Sequence, residues 1–253
     1  MDKIHIGTMG WSYPFWVENF YPKGAKSSEY LTEYSKHFDT VEIDSTFYKI
    51  PSKISFEKWR DQTPVGFLFS AKFPQIITHN KMLKDCEKES EFFIERISTL
   101  QNKLGPLLLQ FPPTFGPEKI TLLKDFLPNL PEKSRYAVEV RNRKLLDDTL
   151  YSVLRDNRIA LALTVSHFIP ETEQITADFV YIRCEGDRSK VNGTLGKVEI
   201  DKTDEIRGWA AKIDKLLDET KEVFGYFSKY YSGHPPRLTR KNSSTPSLPP
   251  EAR

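Results

Sequence analysis

Eight short apolar segments recur along the 253 residues, and stretches of helical periodicity separate most of them. Several of these segments turn charged at their C-terminal ends, on one side-chain parity only. The length suits one undivided barrel, an architecture that routinely reaches this size. Together these three observations predict an α/β fold: a single (β/α)8 barrel of the TIM type, with its last helix absent or irregular. A doubly wound open sheet is the competing architecture. No glycine-rich dinucleotide fingerprint or phosphate loop follows any segment to favour it.

The clearest strand is Arg135-Tyr136-Ala137-Val138-Glu139-Val140-Arg141. Residues two apart share a face of a strand, so Ala137, Glu139 and Arg141 look one way and Tyr136, Val138 and Val140 the other. One face is apolar throughout and the other ends in charge. That is the pattern of a barrel strand whose exit carries function.

In chain order, residues 4–7 predict the first strand, which runs into a loop holding Trp11, Tyr13 and Trp16. Rings at this density cost solubility unless they pack or hold a ligand. A packed lid over the barrel mouth therefore stands beside direct ligand contact by Trp11 and Tyr13. Residues 27–38 predict a helix with Tyr30, Leu31, Tyr34 and Phe38 as its apolar stripe. The second strand, 40–44, places Glu42 and Asp44 on one face. A helix over 52–62 precedes a third strand, 67–72, which delivers Lys72 to its exit; His79 lies in the loop beyond. The spacing of Phe93, Ile97, Leu100 and Leu104 predicts a long helix over 85–104. Residues 106–110 form a fourth strand ending at Gln110, and Pro117 suits the first turn of a helix reaching 127. The fifth strand is the one described above, followed by a helix over 144–156 and a sixth strand over 159–164. The seventh, 179–185, carries Tyr181, Arg183 and Glu185 on its inward parity. A helix over 203–220 and an eighth strand over 223–227 complete the set. The barrel then occupies residues 1–236. Residues 237–253 lack apolar periodicity and predict an irregular C-terminal tail.

Charged residues at 28% and hydrophobic ones at 38% are ordinary for a soluble protein. A net charge of +2 is too mild to argue for a nucleic-acid partner. With no apolar run of spanning length and no basic-then-apolar leader, no membrane partner and a cytoplasmic location are expected. The two cysteines, Cys86 and Cys184, lie far apart and make neither a disulfide framework nor a metal motif. Nothing in the pattern addresses oligomeric state.

Barrel active sites form at the C-terminal rim, where parity collects Glu42, Asp44, Lys72, Gln110, Glu139, Arg141, Arg183 and Glu185. Ionised groups in a barrel interior are costly unless paired. One reading is therefore a self-satisfied network, with Glu42 and Glu139 paired to Lys72, Arg141 and Arg183. The other is a site for a small, polar, anionic ligand. Arg141 and Arg183 offer planar forks for phosphate or carboxylate, with Trp11, Tyr13, Asp44, Gln110 and Glu185 as further contacts. Glu42 or Glu139 would act as general base, Lys72 as a charge whose pKa falls on burial, and His79 as a proton carrier. His167 is a weaker candidate, and His5 belongs to the core or the opposite end. Glu42, Asp44, Glu139, Glu185 and His79 could offer donors to a divalent metal. Yet no close His/carboxylate spacing announces one, and the neighbouring cations oppose it, so no metal and no other cofactor is predicted.

The chain resembles the DUF72, or YecE-like, family of uncharacterised proteins. The resemblance is carried by Ile6-Gly7-Thr8 through Gly10-Trp11-Ser12-Tyr13, Trp16, Phe20-Tyr21-Pro22, the run from Val41 to Tyr48, Phe69 to Lys72 and Ile77-Thr78-His79. It continues through Gly105 to Pro113, Ala137 to Arg141 and Val180 to Arg183, covering the chain to about Pro236. It implies a TIM-type barrel and no particular activity. Three departures stand out. Asn142-Arg143-Lys144-Leu145 replaces a usual tryptophan, Ser228 and Lys229 replace paired asparagines, and no helical pattern follows Pro236.

The function these residues favour is an enzyme, a hydrolase or lyase, acting on a polar anionic substrate that is phosphorylated or carboxylated. The alternatives are a nucleic-acid-binding, endonuclease-like barrel and a ligand-binding barrel without chemistry. A glycosidase fits two glutamates in outline but not their cationic neighbours.

Overall fold

The strands are β1 (Ile4–Thr8), β2 (Thr40–Ile43), β3 (Leu68–Lys72), β4 (Leu104–Gln110), β5 (Tyr136–Glu139), β6 (Ala160–Val165), β7 (Phe179–Cys184) and β8 (Glu222–Phe227). In the computed structural model, which describes residues 4–166 and 169–236, they form one parallel sheet ordered β1-β8-β7-β6-β5-β4-β3-β2. Around it run α1 (Tyr30–Tyr34), α2 (Lys53–Gln62), α3 (Glu87–Ile97), α4 (Ile120–Phe126), α5 (Asp148–Asp156), α6 (Thr203–Glu219) and α7 (Lys229–Ser232). None of these helices is long and apolar enough to cross a membrane.

Parity is obeyed. Ala137 faces the barrel interior with Leu108, Phe179, Tyr181, Phe224 and Tyr226. Tyr136, Val138 and Val140 face outward into a second cluster shared with the helices. The interior is also tied across by hydroxyl pairs, Thr40 to Tyr226 at 2.8 Å and Ser70 to Tyr181 at 2.7 Å. Each buried hydroxyl so paired avoids the cost of an unmet hydrogen bond.

The seam between β1 and β2 closes differently from the ladders elsewhere. A single bridge joins Met9 and Glu42, and the Gly10 N–H donates to the Glu42 carbonyl at 2.8 Å. Below it, the Tyr34 hydroxyl from α1 stands between the strands. It accepts from the Thr8 N–H at 2.8 Å and donates to the Thr40 carbonyl at 3.0 Å. Gly7 makes this approach available, because a Cβ there would lie 2.2 Å from the Thr40 oxygen.

Several helices are shorter than their periodicity predicts. The helix expected over 27–38 is regular only in α1, since its last turn tightens to three-residue bonds such as His37 N–H to the Tyr34 carbonyl at 3.0 Å. The helix expected over 85–104 ends as α3 at Ile97 and becomes a 3-10 segment, Ser98–Lys103. Gln101, at φ 55°, breaks it, so Leu104 begins β4 instead of closing a helical stripe. Ser52 and Asp147 cap α2 and α5, accepting from the Ser55 and Leu150 N–H groups. Before residue 237 the chain still packs on the barrel: Ser232 ends α7 and His234 is buried against Trp16. The tail expected over 237–253 lies outside the described residues.

At the N-terminal end of the barrel, the floor, His5 is held on both sides. Nδ1 lies 2.9 Å from an Asp39 oxygen and Nε2 lies 2.8 Å from a Glu222 oxygen. Arg135 pairs with the other Glu222 oxygen, and the His5 ring stacks on Phe224 at 4.9 Å. Burial alone would lower the His5 pKa, but the two carboxylates raise it to about 9.

Candidate functional site

At the other end the strand exits converge. Arg183, 1% exposed, points from β7 across the mouth. Its Nε and one terminal nitrogen donate to the two oxygens of Glu42, both at 2.9 Å. Its other terminal nitrogen donates to Glu139 and to Glu185, each at 2.5 Å. The Met9 sulfur, 3.3 Å from the same nitrogen that meets Glu42, completes the shell. A planar fork is the group that can serve this many acceptors at once.

The carboxylates are filled from other directions as well. The Tyr181 hydroxyl donates to Glu42 at 2.6 Å. Gln110 donates to Glu139 at 2.6 Å, and Arg141 donates to Glu139 at 3.1 Å and to Glu185 at 2.7 Å. Burial pushes the Glu42 carboxyl up, with the Arg183 charge pulling back. Burial would raise Glu139 too, but Arg183, Arg141, Gln110 and Lys72 together hold it down to about 2. Both glutamates are thus committed as acceptors.

Lys72 stays out of this network. Arg183 and Arg141 each contact at least two carboxylates. Among the described residues, no carboxylate comes within ion-pair distance of the Lys72 ammonium, which instead lies 4.1 Å from the centre of the Phe47 ring. Burial lowers its pKa, Arg183 adds to that, and Asp44 works against it. His79 meets the same Phe47 ring edge-on at 4.8 Å. Its Nδ1 lies 2.9 Å from the Thr78 hydroxyl, within the π-helical turn Ile76–Asn80. Burial, then the charges of Lys72 and Arg141, lower the His79 pKa to about 4, so its imidazole is neutral at neutral pH. Asp44, 42% exposed at its side chain, edges the mouth 3.8 Å from Arg183.

The self-satisfied network expected from the sequence is therefore present for Glu42, Glu139, Arg141 and Arg183, with Gln110 and Glu185 added and Lys72 subtracted. Trp11 is placed elsewhere. It packs edge-on against Trp59 of α2 at 5.0 Å and against the outward Phe69 at 6.4 Å, so its ring belongs to the layer between strands and helices. The Tyr13 hydroxyl donates to the Met9 carbonyl at 2.6 Å. Its ring, with Phe15 and Tyr230, surrounds the Lys229 ammonium at 5.1 to 5.4 Å. His167 lies outside the described residues. Among those described, no group of three or more His, Cys, Asp or Glu side chains is arranged to hold a metal ion.

Sequence reasoning missed Phe47, Met9 and Lys229. Tyr181 carried a signal, its parity with Arg183. Phe47 carried only its place in the family-like run Val41 to Tyr48, since the 3-10 turn Ser45–Phe47 has no periodicity to read.

Comparison with known proteins gives one consistent answer. The family described as "Protein of unknown function DUF72" matches residues 5–244. The UPF0759 protein YecE of Escherichia coli (strain K12) is 40% identical over 139 residues, covering 55% of this chain and 48% of that protein. The UPF0759 protein YunF of Bacillus subtilis (strain 168) is 32% identical over 159 residues, covering 58% and 54%. These matches span about half the length of either relative. A DUF72 family crystal structure from Thermotoga maritima superposes with a TM-score of 0.79 at 25% identity, over 92% of this chain and 95% of that one. One from Enterococcus faecalis gives 0.70 at 23% identity over 91% and 90%, a likeness of fold.

Proposed function

The chain belongs to the DUF72 family, and we propose that its barrel mouth is the active site of an enzyme acting on a small anionic substrate, phosphorylated or carboxylated. One observation carries the reading: Lys72 is a half-buried cation that the surrounding carboxylates leave without an ion-pair partner among the described residues. A desolvated cation without a counterion is a standing site for an anion. Arg141, at the edge of the network, adds positive potential beside it.

Glu42 and Glu139, both candidates for general base from the sequence, serve this site as scaffold. Their oxygens already accept from Arg183, Tyr181, Gln110 and Arg141. The group suited to moving a proton at neutral pH is His79, neutral and beside Lys72. Of the two reaction classes expected, this favours a lyase, because an amine able to add to a carbonyl stands beside the imidazole. A nucleic-acid partner is disfavoured, because Trp11, the ring best suited to base stacking, is packed against α2.

The test is a thermal-shift series with orthophosphate, pyrophosphate and citrate on the native protein and on Lys72→Met. A bound anion raises Tm in the native protein, and the rise disappears in the variant. Equal rises in both proteins, or none in either, would refute the assignment.

A further inference from the structure

Resting on that reading, we infer that Lys72 is a nucleophile, and that the anionic substrate carries an aldehyde or ketone with which its amine forms an imine. The argument starts from what binding alone requires. To attract an anion the ammonium form is sufficient, whereas attack on a carbonyl also needs a fraction of neutral amine. Lys72 is placed for the second. Its stem ends β3 inside the barrel and its nitrogen is set over the Phe47 ring at 4.1 Å. The carboxylates that would hold it as an ammonium, Asp44, Glu139 and Glu42, all lie within ion-pair distance of Arg183 instead. Arg183 thereby does two things to Lys72: it removes the counterions and adds a like charge nearby. Desolvation favours the neutral amine most and Arg183 adds to it, against the charges of Asp44, Glu139 and Glu42.

The chemistry balances without an oxidant or reductant. The Lys72 nitrogen lone pair attacks the carbonyl carbon, and a C–N bond forms as the C=O π pair moves to oxygen. That oxygen takes up a proton, the nitrogen loses one, and a neutral carbinolamine results. The hydroxyl then leaves as water with the second nitrogen proton, giving C=N. His79 shares the Phe47 wall with Lys72, and its neutral imidazole is the group placed to relay these protons. The substrate's anionic group faces Arg141. The imine, once protonated, draws electrons from the adjacent C–C or C–H bond, which is the step a lyase needs.

The experiment uses the native protein and two reagents of defined chemistry, pyridoxal 5'-phosphate (aldehyde with phosphate) and pyruvate (ketone with carboxylate). Each is incubated at neutral pH, reduced with borohydride, and the adducts are mapped by peptide mass spectrometry. Burial lowers the Lys72 pKa and so raises its free-amine fraction, and Lys72 is expected to label faster than the exposed Lys23. Pyridoxal, which lacks the phosphate, labels it more slowly, and excess orthophosphate protects it. Labelling spread evenly over surface lysines, or absent from Lys72, overturns the inference. If anions still raise Tm through Lys72 in that case, the anion site stands and only the imine falls. If pyridoxal labels Lys72 as fast as its phosphate ester, the requirement for an anionic carbonyl compound is overturned.

Discussion

At the floor of the barrel His5 sits between Asp39 and Glu222, with Arg135 on the far side of Glu222. At the mouth Arg183 sits between Glu42, Glu139 and Glu185, with Arg141 on the far side. Both ends therefore bury a cation among carboxylates, as a closed parallel barrel must if it is to hold charge at all. They differ in what is left over. The floor is built from groups that all contact an opposite charge. The mouth spends its carboxylates on Arg183 and Arg141 and leaves Lys72 beside a neutral His79. A network that closes on itself contributes stability; a cation left outside such a network is available to a ligand.

Four measurements break or sharpen this contrast. The largest effect belongs to Arg183→Met, which leaves the buried Glu42 without its ion-pair partner and Glu139 and Glu185 with Arg141 alone. Urea unfolding should show a loss of about 3–5 kcal/mol, the range for removing one partner of a buried ion pair. A loss near zero would mean that the mouth network is not buried as described.

Next is the floor's response to pH. His5 gains its partners only on folding, and its pKa rises from 6.5 to about 9. Its stabilisation is complete below pH 6.5 and is lost as pH rises through 9, an effect of about 3 kcal/mol. Unfolding free energy measured across that window should fall with pH, and His5→Gln should abolish the slope. A native protein equally stable at both ends would show the floor pairing to be inert.

The seam joins the two ends. Tyr34→Phe takes the acceptor from the Thr8 N–H and should cost about 1–3 kcal/mol. Thermal melts that are superimposable would exclude the tyrosine as a closure device.

The smallest stability effect is expected where function is placed. Lys72→Met should change unfolding free energy by less than about 1 kcal/mol, or stabilise, because it removes a buried charge with no ion-pair partner among the described residues. A loss as large as that of Arg183→Met would put Lys72 inside the structural network and end the contrast between the two ends.

Much of this was readable from period-two alternation. Parity placed Ala137 inward and Val138 outward, and it predicted that Glu42, Glu139, Arg141 and Arg183 would meet. It treated Lys72 as one more partner for the acids and could not show that Arg183 outcompetes it. Trp11 looked like a ligand contact because its loop is aromatic, yet α2 brings Trp59 to cover it. The helix over 27–38 was legible as an apolar stripe, but not the use of Tyr34 as a hydroxyl wedged into the seam.

Local alternation and helical spacing, which depend only on neighbours along the chain, determined the eight strands, their inward faces and the end of the barrel where charge collects. The choice of partner was settled only by tertiary structure. Whether a carboxylate meets an arginine or a lysine depends on ångström differences across a closed barrel, between residues as far apart in sequence as Glu42 and Arg183. At that separation the chain itself imposes no distance; barrel closure does.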